Sequence, residues 1–571
     1  MISALAVWFL DPAFHRVTRL DLLWRNTLPS ALFALLIYGL LGRFLLSLWL
    51  VLVLAKSLFA VNAIKVAHMN APLMPSDWAL KDQLLHHLPF FAAYAGGSFL
   101  LLAGLAAFVL ITWLIVRCQR RWGRPHPVIR IAFAVTAVAI LFSLFHGDGV
   151  WKQAYSDTEL AGYYPSDPVV SVSNTGLMAG LVKFAQEAIN RVPKPDTEII
   201  AAFAKKHSQE LHHLASRPIP AQLPDIVVVQ SEAFFDPSIM KQIEPGDFEP
   251  NFRRLASTGI TGSMEAPTYG GGTIRTEFET LTGYPMRAFP HILYPYYGLA
   301  GKWMPSVPRR LQMFDYSTTL FHPFGRNFWN RQEVMPALGF QHSYYEDFFK
   351  NAARAGVYVS DQASFDTVLA HLAKPQAKPS YTMLITMENH GPWSLKAKAL
   401  PHILDDRPLP KGLSPNGAEQ LTYYLSHLVN GDMALGDFAA QLMARPRWTV
   451  LVFYGDHLPS LNAAFEDIGF DDGKTYADQR THYMLISNRP LQPRKLDLSA
   501  YELPGLLFDT IGLPKDGYLA FDGAMSQAES GDSSERASHY EQVSINAARH
   551  EVRCKEKIQL DGSCRKKSAV Q

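Results

Sequence analysis

Apolar positions are concentrated in the first 146 residues of this chain. Residues 90–116, "FFAAYAGGSFLLLAGLAAFVLITWLIV", carry no charge and exceed the roughly 20 residues a membrane helix needs. Residues 131–145, "IAFAVTAVAILFSLF", are apolar but short, and span if Arg130 reaches the interface. Residues 28–64 are apolar apart from Arg43 and Lys56 and predict two spans, 28–42 and 44–64, with one longer span as the alternative. The expectation is an α-helical transmembrane region over 1–146 with about four helices.

Beyond residue 146 the pattern changes. Residues 147–222 are mixed, with helical signals near 175–191 and 196–215, and read as a linker. Short β-branched runs follow: "DIVVVQ" (225–230), "YSTTLF" (316–321), "YTMLITM" (381–387), "TVLVFY" (449–454) and "HYMLIS" (482–487). Helical patterns at 361–373 and 419–443 lie between them. Strands alternating with helices predict an α/β domain over 223–521 with a mostly parallel central sheet covered on both faces. From 522 to 571 the chain turns polar and charged, which predicts a disordered tail.

Charge then sets orientation. The loop 117–130 holds Arg117, Arg120, Arg121, Arg124 and Arg130, which places it in the cytoplasm and everything past residue 146 outside it. Arg16, Arg19 and Arg25 conflict with this, because four spans put the N-terminus outside as well. The stretch 2–10, "ISALAVWFL", is too short to span. It reads as the remnant of a helix that starts upstream, and not as a signal peptide, since no basic region precedes it. Over all 571 residues the net charge is +2, and no basic run is interleaved with aromatics, so nucleic acid is not an expected partner. The three cysteines form no CxxC, which disfavours a thiolate metal site.

Ligands of open α/β sheets bind outside the carboxyl ends of the strands. Four apolar runs end in carboxylate or imidazole groups: Ser231–Glu232, His322, Glu388–Asn389–His390 and Gly455–Asp456–His457. A single strand-end acid is more often a helix cap, and a lone histidine more often a satisfied polar residue. Their coincidence points to a metal or phosphate site, and oxygen and imidazole donors suit Mn²⁺, Zn²⁺ or Mg²⁺. The stretch "APTYGGGTIRTEFETLTG" (266–283) sets three glycines before Thr273, where a helix is predicted to begin. A metal-bound threonine hydroxyl can act as a nucleophile, and a helix N-terminus favours an anion. Arg275 lies near enough in sequence to reach a bound phosphate.

These motifs in this order, with "VVVQSEAFFD", "FHPFGRNFWNR", "MENHGPW" and "FYGDHLP", resemble the lipoteichoic acid synthase and membrane phosphoglycerol transferase family. That family has a sulfatase-like domain of the alkaline phosphatase superfamily. The resemblance covers the membrane helices and residues 225–515. It implies a metal, Mn²⁺ with Zn²⁺ or Mg²⁺ as alternatives, held by Glu232, Thr273, Asp456 and His457, with Thr273 as catalytic nucleophile. It implies a phosphoglycerol pocket of His322, Trp329, Arg331 and His390. A phosphatidylglycerol donor, a glycan or glycolipid acceptor and a multi-pass bacterial membrane location also follow from it. His322 or His390 is expected to donate to phosphate or shuttle a proton, and Arg331 to hold phosphate through its planar fork. Pro323 and Phe324 after His322 depart from the family pattern, as do the triple glycine and Arg275.

Three other readings compete. A phosphoethanolamine transferase uses the same metal and threonine with another donor. A sulfatase needs a nucleophile converted to formylglycine; "SVPRR" (306–310) matches that motif formally, but "LTG" follows Thr273 at the sulfatase spacing and has no counterpart after Ser306. An inactive membrane sensor is the non-enzymatic reading, against which the intact Glu/Thr/Asp/His set argues.

Overall fold

The structure is a computed structural model. It describes residues 20–69, 71–80, 98–119, 124–156, 159–160, 163, 168–188, 192–290, 292–300, 304–375, 377–391, 393, 400–404, 407–529 and 534–561. The chain divides into two compact units, Met1–Arg191 and Val192–Gln571. The division falls inside the segment read as a linker.

In the first unit the apolar runs form helices Leu20–Leu41, Phe44–Met69, Ser98–Cys118 and Pro127–His146. Among the described residues, Phe44–Val66 and Pro127–His146 are the two stretches long and apolar enough to cross a membrane. The expected span 28–42 ends one residue beyond helix Leu20–Leu41, and the expected span 90–116 begins outside the described residues. Val128, Ile131, Val135, Val138 and Phe142 are exposed on one helix, and Leu105, Val109, Leu110 and Trp113 on another. Arg25 is buried within its helix, paired with Asp21 at 3.2 Å and Glu159 at 2.7 Å. It is therefore a structural ion pair and not a loop charge; Arg16 and Arg19 lie outside the described residues.

The second unit is built on strands β1 (Asp225–Ser231), β2 (Ile260–Glu265), β3 (Ser317–Phe321), β4 (His342–Tyr344), β5 (Arg354–Ala355), β6 (Tyr358–Val359), β7 (Ser380–Ile385), β8 (Thr449–Gly455), β9 (Thr481–Ser487), β10 (Arg494–Lys495) and β11 (Leu498–Ser499). The main sheet has the order β10-β2-β9-β8-β1-β7-β3-β4, with β11 beside β2. Strands β8, β1, β7, β3 and β4 are mutually parallel, and β9 is antiparallel to both neighbours. All five strands expected from the sequence are present. β1, β7 and β8 are buried throughout, which is why they read as continuous apolar runs instead of alternating ones. Helices Asp361–Leu372 and Pro415–Met443 share one core with β1 and β8.

The expected disordered tail is corrected. Helices Gly517–Glu529 and Ser534–Asp561 occupy most of 522–561. Tyr540, Val543, Ala547, Ala548 and Val552 are buried, and Tyr540 and Val543 form a small core with Phe203, Leu214, Ala524 and Met525. Charged residues on the opposite face outnumber this stripe and mask its period.

Candidate metal and phosphate site

Because the central strands are parallel, their carboxyl ends lie along one edge of the sheet. Glu232 follows β1, His322 follows β3 and Asp456 follows β8. β8 and β1 are direct neighbours in register Ser231↔Gly455, so Glu232 and Asp456 emerge side by side. Gly455 is required here, since a Cβ would stand 1.9 Å from the Phe234 carbonyl oxygen. Ala233 turns back with φ 52°, a strained value for a residue with a Cβ, and its N–H donates to Asp456 Oδ1 at 2.8 Å.

Glu232, Asp456 and His457 are the one Glu/Asp/His/Cys group, among the described residues, whose ligand atoms all lie within 4.8 Å of one another. All three are buried. His457 Nδ1 faces the Leu458 carbonyl at 2.9 Å. A carbonyl only accepts, so Nδ1 carries the proton and Nε2 presents its lone pair. Asp456 Oδ1 accepts from the His457 and Ala233 N–H groups, whereas Asp456 Oδ2 and His457 Nε2 are buried without a hydrogen-bond partner. Nε2 stands 3.3 Å from Asp456 Oδ2 and 3.7 Å from Glu232 Oε1. Burial, and then the neighbouring Asp456 carboxylate, push Glu232 up to about 8. Converging lone pairs and an excess of buried negative charge are what a divalent cation satisfies, so these residues fit one.

Thr273 is buried and immediately precedes helix Ile274–Thr282, where its hydroxyl caps no backbone N–H of that helix. Two hydrogen bonds bring this segment to the end of β8. Gly270 N–H donates to Leu458 O at 3.0 Å, and Thr276 Oγ1 to Asp456 O at 2.6 Å. The triple glycine has a backbone cause: φ is 67°, 156° and 75° at Gly270, Gly271 and Gly272, a succession that side-chain-bearing residues resist.

One turn into the helix lies Glu277, which the motif reading did not single out. Its carboxylate is fully buried. It receives Arg331 Nη2 at 2.7 Å and Nε at 3.2 Å, and the Tyr296 hydroxyl at 2.7 Å. Arg331 Nη1 points to His322 Nε2 at 3.1 Å, and His322 Nδ1 faces Ile385 O at 3.2 Å. Burial, and then Arg331, hold His322 well below the usual imidazole range. It is neutral, with both nitrogens engaged in this arrangement, and acts as a support for Arg331, in place of the expected proton shuttle. Arg331 keeps two further N–H directions beyond those used by Glu277 and His322. Trp329 is buried against Tyr294 and Phe328, both at 5.2 Å between ring centres. It and Asn330 are both left-handed, with φ 56° and 58°.

The remaining expectations divide. His390 Nδ1 faces Gly391 O at 2.8 Å, and burial lowers its pKa; Asp456 acts on it electrostatically in the opposite sense. Arg275 directs its guanidinium to the carbonyls of Pro267 at 2.9 Å and Leu293 at 3.4 Å, so it braces the glycine loop and does not stand as the expected phosphate contact. Residues two apart on a helix point to different sides, which separates Arg275 from Thr273. Glu388 turns away to receive Asp361 N–H at 2.7 Å and Asn430 Nδ2 at 2.6 Å. Ser306 is fully buried; its hydroxyl donates to Leu338 O and accepts from Arg309 N–H as a helix cap.

Residues 224–502 match the Sulfatase family model. The chain is 24% identical over 437 residues to a putative cyclic β-1,2-glucan modification protein of Rhizobium meliloti, covering 72% of this chain and 63% of that protein. It is 26% identical over 253 residues to the lipoteichoic acid synthase of Staphylococcus saprophyticus, covering 42% of this chain and 36% of that protein. It therefore spans less than two thirds of the length of these curated relatives. Its fold is similar to that of the Streptococcus pyogenes phosphoglycerol transferase GacH, solved with sn-glycerol-1-phosphate: 23% identity, TM-score 0.51, 63% of this chain and 95% of that chain. Residues 224–502 thus match a sulfatase-like domain, and the resemblance to lipoteichoic acid synthases read from the motifs is borne out as a similarity of sequence and fold.

Proposed function

We propose that the chain is a metal-dependent phosphoglycerol transferase. Thr273 takes phosphoglycerol from phosphatidylglycerol and passes it to a hydroxyl of an extracytoplasmic glycan or glycolipid. The observation that carries this reading is the convergence of Asp456 Oδ2 and His457 Nε2, both unpartnered, with Glu232, where the Thr273 segment is tied to the end of β8. A divalent cation held by Glu232, Asp456, His457 and Thr273, Mn²⁺ in the first instance, would acidify the Thr273 hydroxyl and neutralise phosphate oxygens.

In the first step a bond forms between Thr273 Oγ and phosphorus, and the bond from phosphorus to the diacylglycerol oxygen breaks. The threonine proton leaves with diacylglycerol. In the second step an acceptor hydroxyl bonds to phosphorus, the Thr273 ester breaks, and the acceptor proton restores the threonine. The two remaining N–H directions of Arg331 meet phosphate oxygens, while buried Glu277 and His322 keep the guanidinium plane from turning. Trp329 walls the glycerol, and His390 contacts the phosphate. The outward apolar faces in the first unit suit a lipid surround, which keeps the enzyme at its donor. A glycan acceptor agrees with the name of the R. meliloti relative, a putative cyclic β-1,2-glucan modification protein.

The test uses detergent-purified full chain, Mn²⁺ and head-group-labelled phosphatidylglycerol. Diacylglycerol release and label on Thr273 are expected, and both vanish in Thr273→Ala. Release undiminished in that variant overturns the mechanism; consumption of phosphatidylethanolamine alone overturns the donor.

A further inference from the structure

The loop between β3 and helix Arg331–Ala337 has two sides. His322, Trp329 and Arg331 are buried, with Arg331 joined to His322 and to Glu277 of the Thr273 helix, whereas Arg326 and Gln332 are exposed. The two sides are linked through the backbone: Gln332 N–H donates to Arg326 O at 3.0 Å, and the Tyr345 hydroxyl donates to the Arg331 carbonyl at 3.2 Å. On the outer side lies a pocket of about 550 Å³, lined by Arg326, Gln332, Tyr344, Tyr345, Asp347 and Phe348 among others. That volume lies in the range of small-ligand sites.

Its chemistry is mixed. Phe348 is 54% exposed and packs at 4.7 Å on Tyr344, which stacks at 5.0 Å on Phe321. The aromatic platform is thus braced from the core. Around it Arg326 and Asp347 form an ion pair at 2.7 Å with side chains 48% and 67% exposed, and Gln332 is exposed as well. A ring face beside planar donors and acceptors matches a sugar, which offers an apolar C–H face edged by hydroxyls.

The position is as informative as the lining. Tyr344 ends β4 and His322 follows β3, so the pocket lies at the same carboxyl-end edge as the metal ligands. Between β1 and β4 are three strand spacings of about 4.8 Å, a separation of about 14 Å. A single sugar docked in the pocket cannot also present its hydroxyl to Thr273; an extended oligosaccharide can.

We propose that this pocket is the glycan-binding subsite of the acceptor, gripping a neutral oligosaccharide several units away from the hydroxyl that reacts. This deepens the phosphoglycerol-transfer reading and rests on it for the role as acceptor site, though not for binding itself. The test has two readouts on detergent-purified full chain. Titration calorimetry with cyclic β-1,2-glucan, without lipid, reads binding. Diacylglycerol release from phosphatidylglycerol and Mn²⁺, with and without the glucan, reads transfer. Phe348→Ala and Arg326→Ala are expected to weaken glucan binding at least tenfold and raise the KM for glucan to match. The glucan-independent rate of lipid cleavage and the melting temperature should be unchanged. Phe348→Tyr, which keeps the ring, should restore binding. Unchanged glucan affinity in both alanine variants, or no measurable glucan binding by the wild type, overturns the subsite. Glucan binding that depends on Phe348 without any lipid cleavage overturns the transferase reading and leaves a glycan site.

Discussion

Two sets of buried carboxylates flank the first turn of one helix, and they differ in a single respect. Glu277 is closed by Arg331 and Tyr296, so its charge is matched and its oxygens are partnered. Glu232 and Asp456, equally buried, have among the described residues no arginine or lysine at ion-pair distance, only a histidine whose proton points away and, at Asp456 Oδ1, two backbone N–H groups; Asp456 Oδ2 has no partner. The first set is complete as protein alone. The second is incomplete as protein alone, and its missing positive charge is the clearest functional signature in the chain. Composition would not have told them apart.

This contrast can be broken in several ways. The largest effect is expected from Thr273→Ala, which removes the proposed nucleophile: diacylglycerol release should fall about 10⁴-fold or more with little change in melting. Next comes Arg331→Ala. Leaving Glu277 buried and unpaired should cost about 3–5 kcal/mol, measured by denaturant unfolding of the purified chain. Glu232→Gln in metal-free protein should have the opposite sign, holding or raising stability at pH above 8, because it removes a buried charge whose desolvation His457 and Arg331 only partly offset. If both variants destabilise alike, the distinction between the two sets fails.

The pH response sharpens it further. The folded pKa of Glu232, about 8, lies above its ordinary 4.5. The unfolded chain therefore ionises at this position first, and the contribution of Glu232 to metal-free stability is full below pH 4.5 and declines as pH rises toward 8. Added Mn²⁺ should reverse the loss. Its apparent affinity should weaken as pH drops below about 8, where protons compete for the carboxylate; metal titrations followed by melting temperature across pH 6–9 read both trends, and Glu232→Gln should flatten them.

Smaller effects concern the supports. Gly272→Ala must adopt φ 75° with a Cβ 3.0 Å from Thr268 Oγ1, at a cost of about 1–2 kcal/mol, and should slow turnover by displacing Thr273. Ser306→Ala should cost about 1 kcal/mol as a lost helix cap and leave turnover unchanged. A loss of activity there would revive the sulfatase reading that the buried, hydrogen-bonded Ser306 argues against.

Much of this was legible in the order of residues. A strand buried on both faces writes itself as an unbroken apolar run, so β1, β7 and β8 and the acids after them stood out. Glu277 did not, although its spacing of four from Thr273 places both on one helix face; nothing local says that an acid's partner lies 54 positions later. Arg275 was misread for the converse reason, since nearness along a helix is not nearness in direction. Glu388 shares its sequence context with the candidate metal ligands, yet it faces Asp361 and Asn430. The polar C-terminal segment hid a stripe ending at Val552 behind a charged face.

By itself, then, the sequence determined which segments are strands, where apolar helices lie, and which chemical groups follow each strand. Those are local matters of period and burial. Tertiary structure alone decided which of those groups meet. Parallel pairing of β8 with β1 brings Asp456 beside Glu232 across 224 positions, and the Arg331–Glu277 pair joins the loop after β3 to the Thr273 helix. Convergence of lone pairs on one point is a property of packing in three dimensions, and no local pattern in a chain encodes it.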